Sequence, residues 1–302
     1  TESTSEEDFE EVEFKNEKQS FFSLYEKKRT HIKSSIGLHS LLDAFSHIST
    51  VNNFLSFAGA LCFALIIVGG LISLYDVNPI DAFVVIWQSA LGTKNGIGEV
   101  IVRMTPLLLA GIAVLVAFRS GLWNIGAEGQ LYAGALGAAL VGIMTNSLPS
   151  IVHLPLAILG GFIFGAAYGT LPGILKAYRG SNEIITTIMF NFIAIYAISY
   201  LISGPIRDPN LVFPFPQSPV VSEAARLPKI LQGTRAHAGI FLAIMSVLVI
   251  SILISKTVLG YRLQAFGENV RAAAFGGINV KRQIVLSMAL SGGFAGLAGM
   301  SE

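Results

Sequence analysis

The chain has 302 residues, 53% hydrophobic and 13% charged, with a formal net charge of +1 and a mean hydropathy of +0.65. Soluble domains carry about a quarter charged residues and disordered chains are poor in apolar ones, so both classes are excluded. A single cysteine, Cys62, excludes an intramolecular disulfide framework and a Cys-based zinc site, and the near-neutral balance leaves no basic footprint for nucleic acid.

What remains is an all-α polytopic membrane protein, to be read span by span. Residues 1–40 stand apart. The first 17 hold eight acids, a composition that stays solvated, and 18–40 turn basic and weakly amphipathic. This tail is expected to be cytoplasmic, either disordered or lying on anionic lipid. The membrane domain is expected over 41–302.

A crossing helix needs roughly 20 apolar residues. The run 54–75 meets that length without a charge, whereas 80–91 is too short and reads as an interfacial helix. Run 97–118 carries Glu99 and Arg103 in its first turns and is otherwise apolar. Next comes RSGLWNIGAEGQ, 119–130, unusually polar for its position between apolar runs. With 131–145 it forms either a membrane element whose polar half is a broken helix lining a cavity, or a tight cytoplasmic turn with Glu128 favourably placed at a helix N-terminus. Asn124, Glu128 and Gln130 are the candidate substrate-path residues of this segment.

Uncharged runs follow at 154–175 and 184–203. In the first, Gly161, Gly165, Gly169 and Gly173 recur every four residues, so one helical face lets another backbone approach. In the second, Thr187 and Asn191 are four apart and share a face, adding two weaker path candidates. The outer loop 204–236 holds six of the eleven prolines, which forbid a helix through most of it. It reads as a rigid lid, an external docking surface or a connector. Run 238–255 is the sixth span and 284–300 the seventh, the latter with its own small-residue stripe at Gly292, Gly296 and Gly299.

Between these last two lies 256–283, too long for a simple connection in a tight bundle. Its centre, ENVRAAAF, suits a short helix ended by Gly276 and Gly277. Such a helix is marginal alone and should dock on something. Glu268 and Arg271, three apart, are expected to share a face, with Phe275 as an aromatic anchor and Gly267 and Gly276 freeing the backbone at each end.

Seven alternating spans with the N-terminus inside place fourteen Lys and Arg in cytoplasmic segments and five outside (Lys94, Arg207, Arg226, Lys229 and Arg235). That bias orients the chain. Chemistry is mostly absent. There is no phosphate-binding G-x-x-x-x-G-K-[ST] loop, no H-E-x-x-H, no G-x-S-x-G and no metal-binding histidine pair, so the chain is read as no enzyme and without a metal site. The spans also lack the Asp, Glu and His chains of proton-coupled carriers.

Three segments, LWNIGAEGQLYAGALGAA, NEIITTIMFNFIAIY and GYRLQAFGENVRAAAFGGINV, resemble the permease subunits of bacterial ABC importers, in the branch of simple-sugar and nucleoside permeases related to ribose and branched-chain amino-acid permeases. The likeness covers roughly residues 75–302. It implies that 256–283 is the coupling loop, with Gly267, Glu268, Asn269, Arg271, Phe275 and Gly276 facing a cytoplasmic ABC ATPase. It implies a second permease chain, homologous or identical, and an extracytoplasmic substrate-binding protein. ATP and magnesium then belong to the ATPase, with no cofactor in this chain. The chain is expected in the bacterial inner membrane, shortened at its C-terminal side relative to the family's full bundle. The expected function is a permease subunit of an ATP-driven importer for nucleosides or simple sugars; the alternative is an ion-gradient-driven carrier or channel for small polar solutes.

Overall fold

The computed structural model describes residues 36–144, 148–210 and 215–302, and only the backbone of 36–54. The acidic and basic tail over residues 1–35 lies outside the described residues. Two compact units divide the chain at residues 85 and 86. Among the described residues the secondary structure is helical, apart from one isolated antiparallel bridge between Lys229 and His237.

The first unit contains α1, Ile36–Ser73, whose segment Leu55–Ser73 is long and apolar enough to cross a membrane. Where α1 ends, the chain turns through Asp76, the sole non-glycine residue with positive φ among those described. Asn78 then accepts the Ile80 amide at 3.0 Å as α2, Pro79–Leu91, begins. At 13 residues α2 is an apolar helix too short to span, as the sequence predicts.

The second unit is a helical bundle. Its membrane-length helices are α3, Lys94–Arg119; α5, Ser150–Arg179; α6, Glu183–Ser203; α7, Gly239–Lys256; and α10, Val280–Ser301. Three shorter ones complete it: α4, Ala127–Met144; α8, Val258–Glu268; and α9, Val270–Phe275. With the α1 segment, six helices are long and apolar enough to cross. Of the seven expected spans, the one built on 131–145 differs. It is helical only from Ala127, because Gly121 adopts φ +64° and ends α3, and because the first turn of α4 carries Glu128 and Gln130.

Each terminus has a local cause. Thr93 caps α3, Asn182 caps α6, Thr257 caps α8, and Asn269 and Asn279 cap α9 and α10, each accepting a first-turn amide. At the end of α3 the Leu122 amide bonds the Ala117 carbonyl and the Gly121 amide that of Phe118, a Schellman closure.

The centre of the bundle is α10, whose residues from Ser291 to Gly299 are all buried. Close approach needs small residues on both sides. A Cβ on Gly165 would run into the carbonyl of Gly292, one on Gly169 would lie 2.6 Å from the Met288 carbonyl, and one on Gly134 would collide with Gly296. The glycine repeat of 161–173 therefore seats α5 on α10, while Gly134 brings α4 against the same stretch of α10. The gain is van der Waals contact and closely apposed backbones, the forces that hold helices together in lipid. Leu109, Ile112 and Val116 of α3 pack with Ala243 and Ile250 of α7 and with Phe294 and Leu297 of α10 to form the main apolar core.

Candidate functional site

The polar segment after α3 folds into a closed hydrogen-bond knot. Residues 122–126 run without helix and alternate, Leu122, Asn124 and Gly126 buried and Trp123 and Ile125 exposed. Non-helical backbone in such a bundle must find partners within the protein. Asn124, 3% exposed, supplies most of them. Its Nδ2 donates to Gln130 Oε1 at 2.7 Å and to Ser291 Oγ at 2.7 Å. Its Oδ1 accepts the Gln130 Nε2 at 3.0 Å and the Gly126 amide at 3.0 Å. Ser291 in turn donates to the Ala113 carbonyl at 2.6 Å. One amide thus ties α3, α4 and α10 together, with both donors and both acceptor positions used.

Asn191 on α6 closes the other side. Its Oδ1 accepts the Gly129 amide at 2.8 Å, a first-turn group of α4, and its Nδ2 donates to the Ile125 carbonyl at 3.0 Å. Gly126 and Gly129 allow this approach: a Cβ on Gly126 would lie 2.9 Å from Thr187 Cβ, and one on Gly129 3.0 Å from Asn191 Cα. Thr187 is buried on the same face of α6 and returns its hydroxyl to the Glu183 carbonyl at 2.6 Å. Of the five path candidates, the structure brings Asn124, Gln130, Thr187 and Asn191 together. Glu128 stands apart, exposed in the first turn of α4. The amides of the knot are spent on the protein itself, so their evident work is positioning.

The segment 256–283 folds as two helices. Asn269 is extended, at φ −155° and ψ 106°, and separates α8 from α9. Glu268 therefore ends one helix while Arg271 lies in the next, and the expected shared face between them does not form. Arg271 and Phe275 do lie on one helix, four apart. Gly276 has φ −73°, and it is Gly277, at φ +80°, that turns the chain out of α9. Gly267 serves close approach: a Cβ there would strike the Arg119 carbonyl and lie 3.0 Å from the Gly121 amide. Leu122, Phe266, Ala273, Ile284 and Met288 form a second apolar cluster that seats α8 and α9 on the bundle. Glu268, Asn269 and Arg271 are exposed, and Phe275 is 94% exposed.

Lysines and arginines gather at this same end. Lys176 pairs with Glu183 at 2.7 Å, and Lys281 lies 5.1 Å from the Tyr178 ring centroid. At the opposite end, the described part of the loop 204–236 folds back over the helices. The Ser222 amide bonds the Gly142 carbonyl, and Arg226 donates twice to the Val221 carbonyl, at 3.0 and 2.8 Å. Beneath it is a cavity of about 470 Å³ lined in part by Ala138, Ala157, Arg226, Lys229 and His237. His237 Nδ1 accepts the Gly239 amide at 3.2 Å. Burial lowers the His237 pKa below the usual imidazole value; the Glu302 carboxylate opposes that shift and the Arg235 guanidinium adds to it.

Residues that sequence reasoning did not single out complete the picture. Ser291 carried a signal, a polar side chain in an otherwise apolar run, which must find a partner in lipid. Tyr168, which donates to the Phe190 carbonyl at 2.7 Å and so braces α5 against α6, carried none.

Residues 96–301 match the family described as branched-chain amino acid transport system / permease component. Relatives include the guanosine ABC transporter permease protein NupP of Bacillus subtilis, 37% identical over 77% of this chain and 66% of the relative. The nucleoside ABC transporter permease protein NupB of Lactococcus lactis subsp. cremoris is 33% identical over 78% of this chain and 66% of its own. The glucose ABC transporter permease protein TsgB13 of Haloferax volcanii is 37% identical over 79% and 65%. The chain thus spans just under two thirds of the length of these curated relatives. No solved structure matches it.

Proposed function

The chain belongs to the permease-component family of branched-chain amino acid transport systems, a multi-pass membrane protein, and on that premise we propose that it is the membrane subunit of an ATP-driven importer for nucleosides or simple sugars. ATP and magnesium would be handled by a separate cytoplasmic ATPase. A second permease chain and an extracytoplasmic binding protein complete the proposed assembly. The likeness to guanosine, nucleoside and glucose permeases supports this substrate range.

The observation that carries the reading is the route from α9 to the knot. Phe275 projects from α9, α9 is capped by the last residues before it, and α8 ends with Gly267 against the backbone of Arg119 and Gly121. Three residues beyond Gly121 stands Asn124, bonded to α4 and α10. A partner that pushes on α9 would therefore move three helices through one rigid junction. In this reading α8 and α9 face the cytoplasm and the Pro-rich loop faces outward, with the N-terminus inside, as the distribution of Lys and Arg favours.

The test is uptake into proteoliposomes holding the full-length protein with its co-expressed partner chains. Guanosine and glucose are offered separately, with ATP inside or omitted. ATP-dependent accumulation of either solute is the expected outcome. Accumulation that follows an ion gradient and ignores ATP would overturn the proposal and favour a gradient-driven carrier.

A further inference from the structure

A second polar cavity, of about 400 Å³, opens at the basic end of the bundle between α8 and the start of α10. Arg262 of α8 and Arg282 of α10 stand on its walls, both exposed, and neither forms an ion pair among the described residues. Gln283 also lines it and is only 5% exposed, with an amide nitrogen buried and without a hydrogen-bond partner. Asn279 caps α10 here, so the positive end of a 22-residue helix adds to the field of the two guanidinium groups. The remaining wall is apolar, from Val258, Leu259 and Leu286.

We infer that this cavity binds the phosphate of an anionic phospholipid. Two arginines without a carboxylate partner call for an oxyanion, since guanidinium groups are matched to phosphate oxygens. The Gln283 amide nitrogen, buried at the cavity wall and unpartnered, becomes a neutral donor to such an oxygen after a small side-chain rotation into the cavity. A free phosphate would use the cationic wall alone. A lipid would use both, its head group on the arginines and its glycerol and first methylenes against Val258, Leu259 and Leu286. The place fits as well: the cavity lies where α7 ends at Lys256 and α10 begins, the level at which basic side chains meet lipid head groups. Because α8 carries Gly267 against the turn after α3, a lipid seated here would also steady the junction described above. The inference concerns binding and stands apart from the transport reading.

The test uses the full-length protein in detergent, titrated with short-chain phosphatidylglycerol, with short-chain phosphatidylcholine and with inorganic phosphate, and read by native mass spectrometry and thermal shift. Phosphatidylglycerol is expected to bind selectively and to raise the melting temperature. Replacing both Arg262 and Arg282 by Gln should weaken that binding at least about tenfold, since each bidentate charged contact carries more than a neutral one. Gln283→Met keeps the volume and should weaken it severalfold. Both arginines are exposed, so their replacement leaves folding intact, and an unchanged melting temperature without lipid confirms it. Binding of phosphatidylglycerol that is indifferent to all three substitutions would overturn the site. Stabilisation by inorganic phosphate equal to that by lipid would overturn the lipid assignment. An effect of the arginines with none from Gln283→Met would reduce the cavity to a charged surface and overturn it too.

Discussion

Asn124 and Ser291 are separated by 167 positions and meet side chain to side chain at 2.7 Å. The contact fixes the irregular backbone between α3 and α4 to the buried central helix of the bundle. Ser291 passes the link on to the Ala113 carbonyl. Three helices therefore share one hydrogen-bonded node, and the node can be tested by taking it apart in steps.

Ser291→Ala breaks two hydrogen bonds, one accepted from Asn124 and one donated to the Ala113 carbonyl, and leaves one buried Asn124 N–H without an acceptor, so it is expected to cost about 1–3 kcal/mol. Asn124→Ala leaves the Gln130 amide and the Gly126 N–H buried without partners and should cost about 1–3 kcal/mol for each orphaned group. Combining Asn124→Ala with Gln130→Ala should cost less than the two singly, because each single change strands the other's amide. Denaturant-induced unfolding in mixed micelles measures all three. Additive losses would show that the two amides do not work as a pair.

Glu128 gives the contrasting case. It is exposed and lies outside the knot, so Glu128→Gln should change stability by less than about 0.5 kcal/mol. If the importer function holds, transport under ATP should tolerate Glu128→Gln far better than Asn124→Ala. Uptake rates for the two variants at matched membrane levels decide it.

How much of this was legible in the sequence follows from what each signal encodes. Apolar run length gave the crossing helices, because hydrocarbon thickness imposes it. The four-residue glycine spacing gave the packing face, because residues four apart lie one above the other on a helix. The polarity of 119–130 marked the knot and the spacing of Thr187 and Asn191 marked its facing helix, yet Ser291 and the individual bonds could not be read, since they form only through the tertiary fold. The break at Asn269 was invisible to helical spacing. Asn is a good N-cap as well as a tolerable helix residue, and its backbone chose the cap. That choice put Glu268 and Arg271 on different helices.

The glycine seam makes a prediction of direction. Gly165→Leu and Gly296→Val should prevent α5 and α10 from closing, because in each a Cβ would meet backbone of the facing helix. The expected result is loss of folded protein from the membrane, seen as aggregation in size-exclusion chromatography. Gly111→Ala is the control. Nothing lies within 4 Å of a Cβ there, so the change should be neutral or stabilise by up to about 1 kcal/mol.

The end of the proline-rich loop next to His237 should loosen in acid. The folded state holds His237 at a lowered pKa, chiefly through burial, and uses its neutral Nδ1 to accept the Gly239 amide. A depressed base binds protons less well folded than unfolded. Its contribution is thus fully present above the unfolded imidazole value, about 6.5, and falls as pH drops below it. Protection of the Gly239 amide region against hydrogen exchange, taken relative to the intrinsic base-catalysed rate, is expected to fall between about pH 7.5 and about pH 5.5, one unit on either side of that value. His237→Gln, which cannot gain a charge, should flatten that dependence.

Phe275 and Phe266 separate docking from folding within one short segment. Phe266 is buried in the cluster that holds α8 to the bundle, so Phe266→Ala should cost about 3–5 kcal/mol and lower transport by unseating the segment. Phe275 is 94% exposed, so Phe275→Ala should leave stability within about 0.5 kcal/mol. An aromatic ring that the chain itself leaves uncovered is useful chiefly to a partner, where such a side chain can carry about 2 kcal/mol or more, thirtyfold in affinity. Under the proposed importer function, the expected signature of Phe275→Ala is an intact, correctly inserted protein that no longer retains the proposed ATPase on co-purification and no longer accumulates solute with ATP. Retention of the ATPase at wild-type levels, together with normal uptake, would mean that the exposed face of α9 is not where force enters the membrane helices.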